Sequence, residues 1–249
     1  MLVKSQVKYI QSLGQKKFRD QEGVFVAEGP KLLDELLKSP NVRLLHVYAV
    51  KEWLEGKDER SWANSAPAPL ISVLKKGELE RISGLATPNQ VLAVCCRPVF
   101  AAPLFENSIS LLLDGIQDPG NMGTIIRIAD WFGISQVACS PDSADCYNAK
   151  TVQSTMGSIG RVQVIYTDLE ELIGKYPGLP VYAAALQGKP LYETERIGKG
   201  LIVIGNESKG IRQVLLEKIP NPVTIPRRGK AESLNAAVAA GIILSHLVG

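Results

Sequence analysis

The stretch "ISLLLDGIQDPGNMGTIIRIADWFG", residues 109–133, joins an apolar run to a helical pattern through a loop rich in Gly, Asp and Pro. The run "ISLLLD" does not alternate apolar and polar residues, which predicts a strand buried on both faces. From Asn121 the apolar residues recur at helical spacing, and Gly133 is a typical helix stop. A buried strand followed directly by a helix is the repeating unit of a parallel α/β fold.

The same alternation continues to the C-terminus. Apolar strands are predicted at "SQVACS", "VQVIY", "LPVYAAAL", "GLIVIG" and "PVTIP", and each of them except "LPVYAAAL" is followed by a helical segment. Such a chain predicts a parallel sheet covered on both faces, whose ligand binds at the carboxyl ends of the strands. The strand ends with the most loop residues are "LLLDGIQDPGNMG", "VIGNESKG" and "TIPRRGKAESLN".

The N-terminal part predicts a second, smaller α/β domain. Its strands are "VFVAEG", "VRLLHVYAV" and "QVLAVCCRPV", with helical segments before and between them. The following stretch, with two prolines and two alanines, is interpreted as a linker. The predicted division is an N-terminal domain of residues 1–97, a linker of residues 98–108 and a C-terminal domain of residues 109–249.

Composition excludes several classes of protein. The chain has 249 residues, of which 45% are hydrophobic, yet no apolar run approaches the roughly 20 residues of a membrane span. The N-terminus lacks the apolar centre of a signal peptide, so a cytoplasmic protein is expected. Four cysteines without a C-x-x-C pair, together with only two histidines, predict reduced thiols and no metal site.

Positive charge is concentrated at the N-terminus, although the net charge of the chain is only +3. Two interpretations remain open: a patch that binds phosphates, or a solvated helix face that keeps the protein soluble. The first twenty residues contain a single acid, Asp20, and the basic residues Lys4, Lys8, Lys16, Lys17 and Arg19.

The three loops do not match the common nucleotide-binding patterns. "GNESKG" is not a P-loop, and no strand is followed by G-x-G-x-x-G, so a nucleotide-dependent oxidoreductase is disfavoured. Each polar residue taken singly has a structural interpretation. Asn121, Ser233 and Asn235 could be helix N-caps, while Arg127 and Glu207 could be solvated charges.

Taken together, the loops resemble the three signature motifs of the SpoU (TrmH-type) RNA ribose 2′-O-methyltransferases of the SPOUT superfamily. "DPGNMGTIIRIADWFG" has the family's N-x-G-x-x-x-R spacing, "LIVIGNESKGI" is similar to its second motif, and "IPRRGKAESLNAAVAAGI" to its third. Arg227 and Arg228 depart from the pattern, because many relatives carry Met and a neutral residue there. The N-terminal half, best in "VFVAEGPKLLDELL", is similar to the family's substrate-binding domain.

The resemblance implies a catalytic domain with a deep C-terminal trefoil knot, a homodimer formed through that domain, and S-adenosylmethionine as the cofactor, without a metal. In the family this cofactor lies in a cleft made by three loops, here "ALQGKP", "IGNESKG" and "IPRRGKAESLN". The implied cofactor-binding residues are Leu186, Gly188, Ile204, Gly205, Asn206, Ile225, Leu234 and Asn235.

The implied reaction is methyl transfer to a ribose 2′-hydroxyl of RNA, with Arg127 as the activating residue. Since arginine stays protonated, stabilisation of the developing oxyanion is favoured over proton abstraction. The other implied catalytic residues are Asn121, Glu207, Ser233 and Asn235. RNA contacts are expected from the N-terminal basic residues and from Arg227 and Arg228. A ribosomal RNA substrate is favoured; a transfer RNA enzyme and a non-catalytic RNA-binding assembly factor are the alternatives, and no DNA substrate is expected.

Overall fold

The computed structural model describes residues 2–62 and 67–248. In the first hundred residues its helices and strands are α1 (Lys4–Ser12), α2 (Lys16–Glu22), β1 (Val24–Glu28), α3 (Pro30–Lys38), β2 (Leu44–Ala49), α4 (Lys51–Leu54), β3 (Leu70–Val73), α5 (Lys76–Glu80) and β4 (Val91–Cys96). The rest of the chain forms β5 (Ile109–Asp114), α6 (Pro119–Trp131), β6 (Gln136–Cys139), α7 (Ala149–Thr155), β7 (Gln163–Tyr166), α8 (Leu169–Lys175), β8 (Val181–Pro190), β9 (Gly200–Gly205), α9 (Gln213–Leu216), β10 (Asn221–Thr224) and α10 (Ala236–Leu247).

The chain divides into two compact units. Unit 1 comprises residues 1–100 together with residues 145–161, and unit 2 comprises residues 101–144 and 162–249. Helix α7 therefore belongs to unit 1, where it packs against β1. The predicted division of the chain into continuous segments contains no such exchange, because nothing in the sequence of α7 distinguishes it from the other helices of the alternating half.

Unit 1 is built on a mixed four-stranded sheet in the order β1-β4-β2-β3. Strand β4 runs antiparallel to both β1 and β2, whereas β2 and β3 are parallel. The buried side chains of α1, such as Val7 and Ile10, share an apolar core with Val24, Leu79 and Leu92. Strand β3 was not predicted from the sequence, since it is a short edge strand with mostly exposed side chains.

Unit 2 contains the predicted parallel sheet. Its six strands are all parallel and lie in the order β10-β8-β9-β5-β6-β7. All six residues of the central strand β5 are buried, as the uninterrupted apolar run predicts. The α/β class and the parallel sheet are thus confirmed.

Candidate active site

The first two motif loops start side by side. Strands β5 and β9 are parallel neighbours, and their last residues, Asp114 and Gly205, are register partners. The loop that leads into α6 and the loop of residues 206–212 therefore leave the same edge of the sheet together. This is the edge at which open α/β sheets bind ligands.

Helix α6 begins one turn earlier than it would if Asn121 were its N-cap. Asp118 is its N-cap and accepts a hydrogen bond from the backbone N–H of Asn121 at 2.9 Å, with Pro119 as the first helical residue. An acidic N-cap followed by proline is a common helix start. The N-cap interpretation of Asn121 is therefore wrong, and its side chain is free for other contacts.

The side chain of Asn121 joins all three motifs. Its Nδ2 donates a hydrogen bond to Glu207 Oε1 in the second motif, while its Oδ1 accepts one at 2.8 Å from Asn235 Nδ2 in the third. An amide has one donor group and one acceptor group, so it can hold a carboxylate and a second amide at once. The network therefore brings together residues that lie 86 and 114 positions from Asn121 in the chain.

Asn235 has a second role as the N-cap of α10. Its Oδ1 accepts hydrogen bonds from the backbone N–H groups of Ala237 at 2.9 Å and Val238 at 3.2 Å. Both ends of this amide are therefore occupied. The start of the C-terminal helix is fixed relative to α6 by the side chain that caps it.

Asn206 organises the second motif loop. Its Nδ2 donates to the carbonyl of Gly115 at 2.8 Å, and its Oδ1 accepts from the backbone N–H groups of Ser208 and Lys209. The side chain of Asn206 thus connects the two neighbouring loops. Any contact of this residue with a cofactor is left to its backbone groups.

A buried carboxylate that the motifs do not include anchors the far end of the same loop. Asp114, almost fully buried, accepts a 2.7 Å hydrogen bond from the Arg212 backbone N–H and forms a 2.5 Å ion pair with its guanidinium. The hydrogen bond that the guanidinium donates to the Asp114 carboxylate raises the pKa of Arg212. The sequence offers no signal for this pair, because 98 positions separate its members.

The glycines predicted to contact a cofactor are required by the protein's own backbone. A Cβ atom on Gly205 would lie 2.3 Å from backbone atoms of Gly210 and Ile211, and one on Gly188 would lie 2.5 Å from the Pro222 carbonyl oxygen. Real Cβ contacts are not this short. Both positions therefore mark places where two segments of unit 2 pass each other closely.

The segment "ALQGKP" differs from its predicted loop structure. Strand β8 continues through it to Pro190 and pairs with β10 across a register shift after Pro222. The carbonyl of Leu186 accepts a hydrogen bond from Thr224 Oγ1 at 3.2 Å. The segment therefore lies beside the strand that leads into the third motif.

The side chains at these loops fit S-adenosylmethionine. Leu186 is 79% exposed and Leu234 is 45% exposed, which is unusual for leucine. Ile225 is half-buried and Ile204 is buried. Exposed apolar side chains suit a flat purine, and the surrounding loop backbone offers donors and acceptors for the polar edges of the ligand.

Two predicted catalytic residues remain outside the Asn121 network. Arg127 lies on α6, six residues after Asn121, and Ser233 lies in the third loop. Both are exposed, and neither has a hydrogen bond or an ion pair with a residue in 2–62 or 67–248. Arg227 and Arg228 are also exposed, and Arg227 donates to the carbonyl of Ala231 within its own loop at 3.2 Å.

The predicted RNA-binding residues of unit 1 divide into two groups. Lys4, Lys8, Lys16 and Lys17 are exposed, and Lys16 forms a 2.5 Å ion pair with Asp20. Arg19 is only 3% exposed. Its guanidinium donates to the carbonyls of Leu13 and Gly14 and to Asp145 Oδ2. This placement corrects the prediction of Arg19 as an RNA contact, because its donors are taken up inside unit 1.

Three further findings concern metal ions, membrane-spanning helices and disulfide bonds. Within residues 2–62 and 67–248, His, Cys, Asp and Glu side chains form no group of three or more that could hold a metal ion. In the same part of the chain, none of the helices has the length and apolarity needed to cross a membrane. The four cysteines, all within the described residues, form no disulfide bond.

We expect Asn121→Ala and Asn235→Ala to be non-additive in the free energy of unfolding. Each change removes the hydrogen bond between the two side-chain amides. A double-mutant cycle should therefore give a coupling free energy of about 0.5–3 kcal/mol. Asn148, the N-cap of α7, is the matched control, because it accepts from Lys150 N–H but does not contact Asn121. Urea unfolding of the variants should show additivity for Asn121 with Asn148; additivity for Asn121 with Asn235 would contradict the bridge.

Two family models match the chain, one in each half. The model described as the SpoU rRNA Methylase family matches residues 108–245 and contains all three motifs. The model described as the MRM3-like substrate binding domain matches residues 4–93. The two matches follow the order of the predicted domains.

Similar proteins are known along the full length of the chain. The chain is 36% identical over 246 residues to "23S rRNA (guanosine(2553)-2'-O)-methyltransferase RlmP" of Bacillus subtilis, covering 98% of this chain and 96% of that protein. A protein assigned to the TrmH family of RNA methyltransferases from Porphyromonas gingivalis is 35% identical, with a TM-score of 0.84 over 99% of this chain and 98% of the other. An AdoMet-bound rRNA methyltransferase from Sinorhizobium meliloti is 28% identical, with a TM-score of 0.84 over 99% and 95% of the two chains. The chain, with its three motifs joined through Asn121, belongs to the SpoU rRNA methylase family.

Proposed function

We propose that this protein transfers a methyl group from S-adenosylmethionine to a ribose 2′-hydroxyl of 23S ribosomal RNA. The enzyme class and the cofactor follow from membership of the family. The observation that supports the assignment most strongly is the Asn121 network, which holds the three motif loops together at the carboxyl edge of the sheet. The ribosomal substrate is supported by the full-length relative named for 23S rRNA and by the substrate-binding family of the N-terminal half.

Each residue of the site has a separate proposed role in the reaction. S-adenosylmethionine supplies a methyl group activated by its sulfonium. Leu186, Ile225 and Leu234, with the backbone of residues 204–206, would hold it. Arg127 would stabilise the negative charge that develops on the 2′-oxygen, since a guanidinium remains protonated at neutral pH. Asn121, Glu207 and Asn235 would fix the loops around the ribose, and Ser233 offers a free hydroxyl in the third loop.

The test of this function is methyl transfer from labelled S-adenosylmethionine to RNA isolated from cells that lack the gene. We expect label in 23S rRNA, recovered after digestion as a 2′-O-methylnucleoside, and none in transfer RNA. The guanosine that corresponds to the one in the relative's name is the first position to map. Label in transfer RNA alone would indicate that transfer RNA, and not 23S rRNA, is the substrate. Label in neither free RNA nor ribosomal precursor particles would favour the non-catalytic assembly factor.

We infer further that the C-terminal segment is threaded as a knot. Strand β10 lies on the far side of β8 from β9, although β9 precedes it in the chain. After β10 the chain turns back, and α10 packs against α6 and β9. The close approaches at Gly188 and Gly205 support a chain that passes tightly against itself.

A homodimer through unit 2 is proposed from an exposed apolar surface of α6 and α10. Val238 and Ile242 on α10 are partly exposed, and with Ile128 they line a shallow depression of about 390 Å³. Trp131, one turn beyond Ile128 on the same face of α6, is 84% exposed. Contiguous exposed apolar side chains mark interaction surfaces. Asn121 and Asn235 border the depression, which would place the active site beside the interface.

A cytoplasmic location is proposed on the basis of the RNA substrate.

We expect Val238→Asp to convert the dimer to a monomer, because the new carboxylate would lose its hydration at the interface. Sedimentation velocity at micromolar concentration measures this change directly. Val214→Asp is the matched control, since Val214 on α9 is similarly exposed but does not line the depression. A dimer that survives Val238→Asp, or one that Val214→Asp dissociates equally, would contradict the proposed interface.

A further inference from the structure

Unit 1 contains an open cleft that none of the predicted RNA contacts touches. Its volume is about 990 Å³, at the upper end of the roughly 300–1,000 Å³ of small-molecule sites. Four separate segments line it: the start of α3, the end of β2 with α4, the end of β3 with α5, and residues 88–90 before β4. The cleft is therefore a preformed concave surface rather than a gap beside one flexible loop.

The lining of the cleft contains three lysines and two acids. Lys51, Lys75 and Lys76 are exposed on it. Of the two acids that line the cleft, Glu78 uses both carboxylate oxygens locally, accepting from the backbone N–H groups of Leu2 and Lys75. Glu52 is the second. Lys51 has only a loose, exposed ion pair with Glu55 at 3.4 Å, which contributes little and leaves the cation available.

The walls of the cleft provide groups of two other kinds. Asn89 and Gln90 are exposed and have side-chain amides, which can donate to and accept from the edges of bases. Val73, which is 56% exposed, and the half-buried Pro30 and Pro88 provide apolar surface. Cations that follow a phosphate backbone and hydrogen-bonding groups for the edges of unstacked bases are features by which proteins bind single-stranded RNA.

We propose that this cleft, and not the helical surface formed by Lys4, Lys8, Lys16 and Lys17, is the principal RNA-binding site of unit 1, and that it takes a single-stranded loop of the substrate. The inference rests on the proposed function, because it assigns a surface for that RNA. On the helical surface, Lys16 is engaged in a 2.5 Å ion pair with Asp20 and Arg19 is buried.

The test compares two triple variants with the same change in charge. Unmodified 23S rRNA made by transcription is the probe, and filter binding without S-adenosylmethionine gives Kd at several salt concentrations. We expect Lys51→Ala/Lys75→Ala/Lys76→Ala to raise Kd about tenfold and to reduce the slope of log K against log salt by about 2, since each phosphate contact on a single strand contributes about 0.7. Lys4→Ala/Lys8→Ala/Lys17→Ala should change Kd less than about twofold.

The controls separate the possible failures. Circular dichroism melting verifies the fold of each variant, and replacement of the three cleft lysines by arginine should keep the wild-type salt slope. A cleft variant with unchanged Kd and slope would overturn the inference, as would an equal loss in the helical variant. Failure of the proposed function would give a different result: the wild-type protein would transfer no label to RNA, whatever the Kd values.

Discussion

Arg127→Ala should reduce methyl transfer by about 10³-fold or more while changing the affinity for S-adenosylmethionine only a few-fold. Removing one group that stabilises a developing oxyanion commonly costs a factor of about 10²–10³, and a full positive charge should be at the upper end or above it. The guanidinium has no partner among the described residues, so its loss removes no contact that supports the fold. Single-turnover kinetics with saturating RNA, together with calorimetric titration of the cofactor, measure the two effects separately.

Two further variants sharpen this result. Arg127→Lys keeps the charge but loses the planar pair of donors, so partial activity would indicate that charge is the main contribution. Arg228→Ala removes another exposed arginine, in the third motif loop, and should alter the apparent affinity for RNA more than the rate at saturation. A wild-type rate for Arg127→Ala would eliminate the assigned role of Arg127.

Gly205→Ala should abolish cofactor binding and lower the free energy of unfolding by several kcal/mol. The added methyl group would lie 2.3 Å from backbone atoms of Gly210 and Ile211, so the loop of residues 206–212 must move. That loop is held at both ends, by Asn206 at its start and by the Asp114–Arg212 pair at its end. Overpacking at a site that cannot relax is among the most destabilising single substitutions.

Gly174→Ala is the matched control for this prediction. Gly174 lies in α8, and a Cβ atom there would meet nothing within 4 Å. Alanine should stabilise that helix by up to about 1 kcal/mol and leave cofactor binding unchanged. Thermal unfolding with and without S-adenosylhomocysteine gives both quantities. A Gly205→Ala protein with normal stability and a normal ligand-induced shift would show that the backbone contact can be relieved.

Much of the fold could be predicted from the sequence because burial leaves a strong signal. The uninterrupted apolar run of β5 and the helical spacing in α6 are direct consequences of a sheet covered on both faces. Where the predicted and observed elements differ, the sequence carries only a weak burial pattern. Residues 70–73 form an exposed edge strand without a buried face, and the helical region predicted before the first strand is divided into α1 and α2 around Gly14.

The site could be recognised but not assembled from the sequence. The motif spacing identified Asn121, Glu207 and Asn235 as a set, but a one-dimensional pattern cannot show that one amide contacts the other two residues. Asp118 could have been found from the Asp-Pro helix start. Asp114 with Arg212, and Arg19 with Asp145, could not, because an ion pair between distant positions has no local signature.

The exchange of residues 145–161 into unit 1 has a consequence for the order in which the protein forms during translation. Strand β1 leaves the ribosome before α7, which packs against it and follows more than a hundred residues later in the chain. At about 5–20 residues per second, Arg19 waits several seconds for the carboxylate of Asp145. A nascent chain that ends at residue 100 therefore has all four strands of its sheet but lacks one of its packing helices. Completion of the first unit depends on synthesis of the first strands of the second.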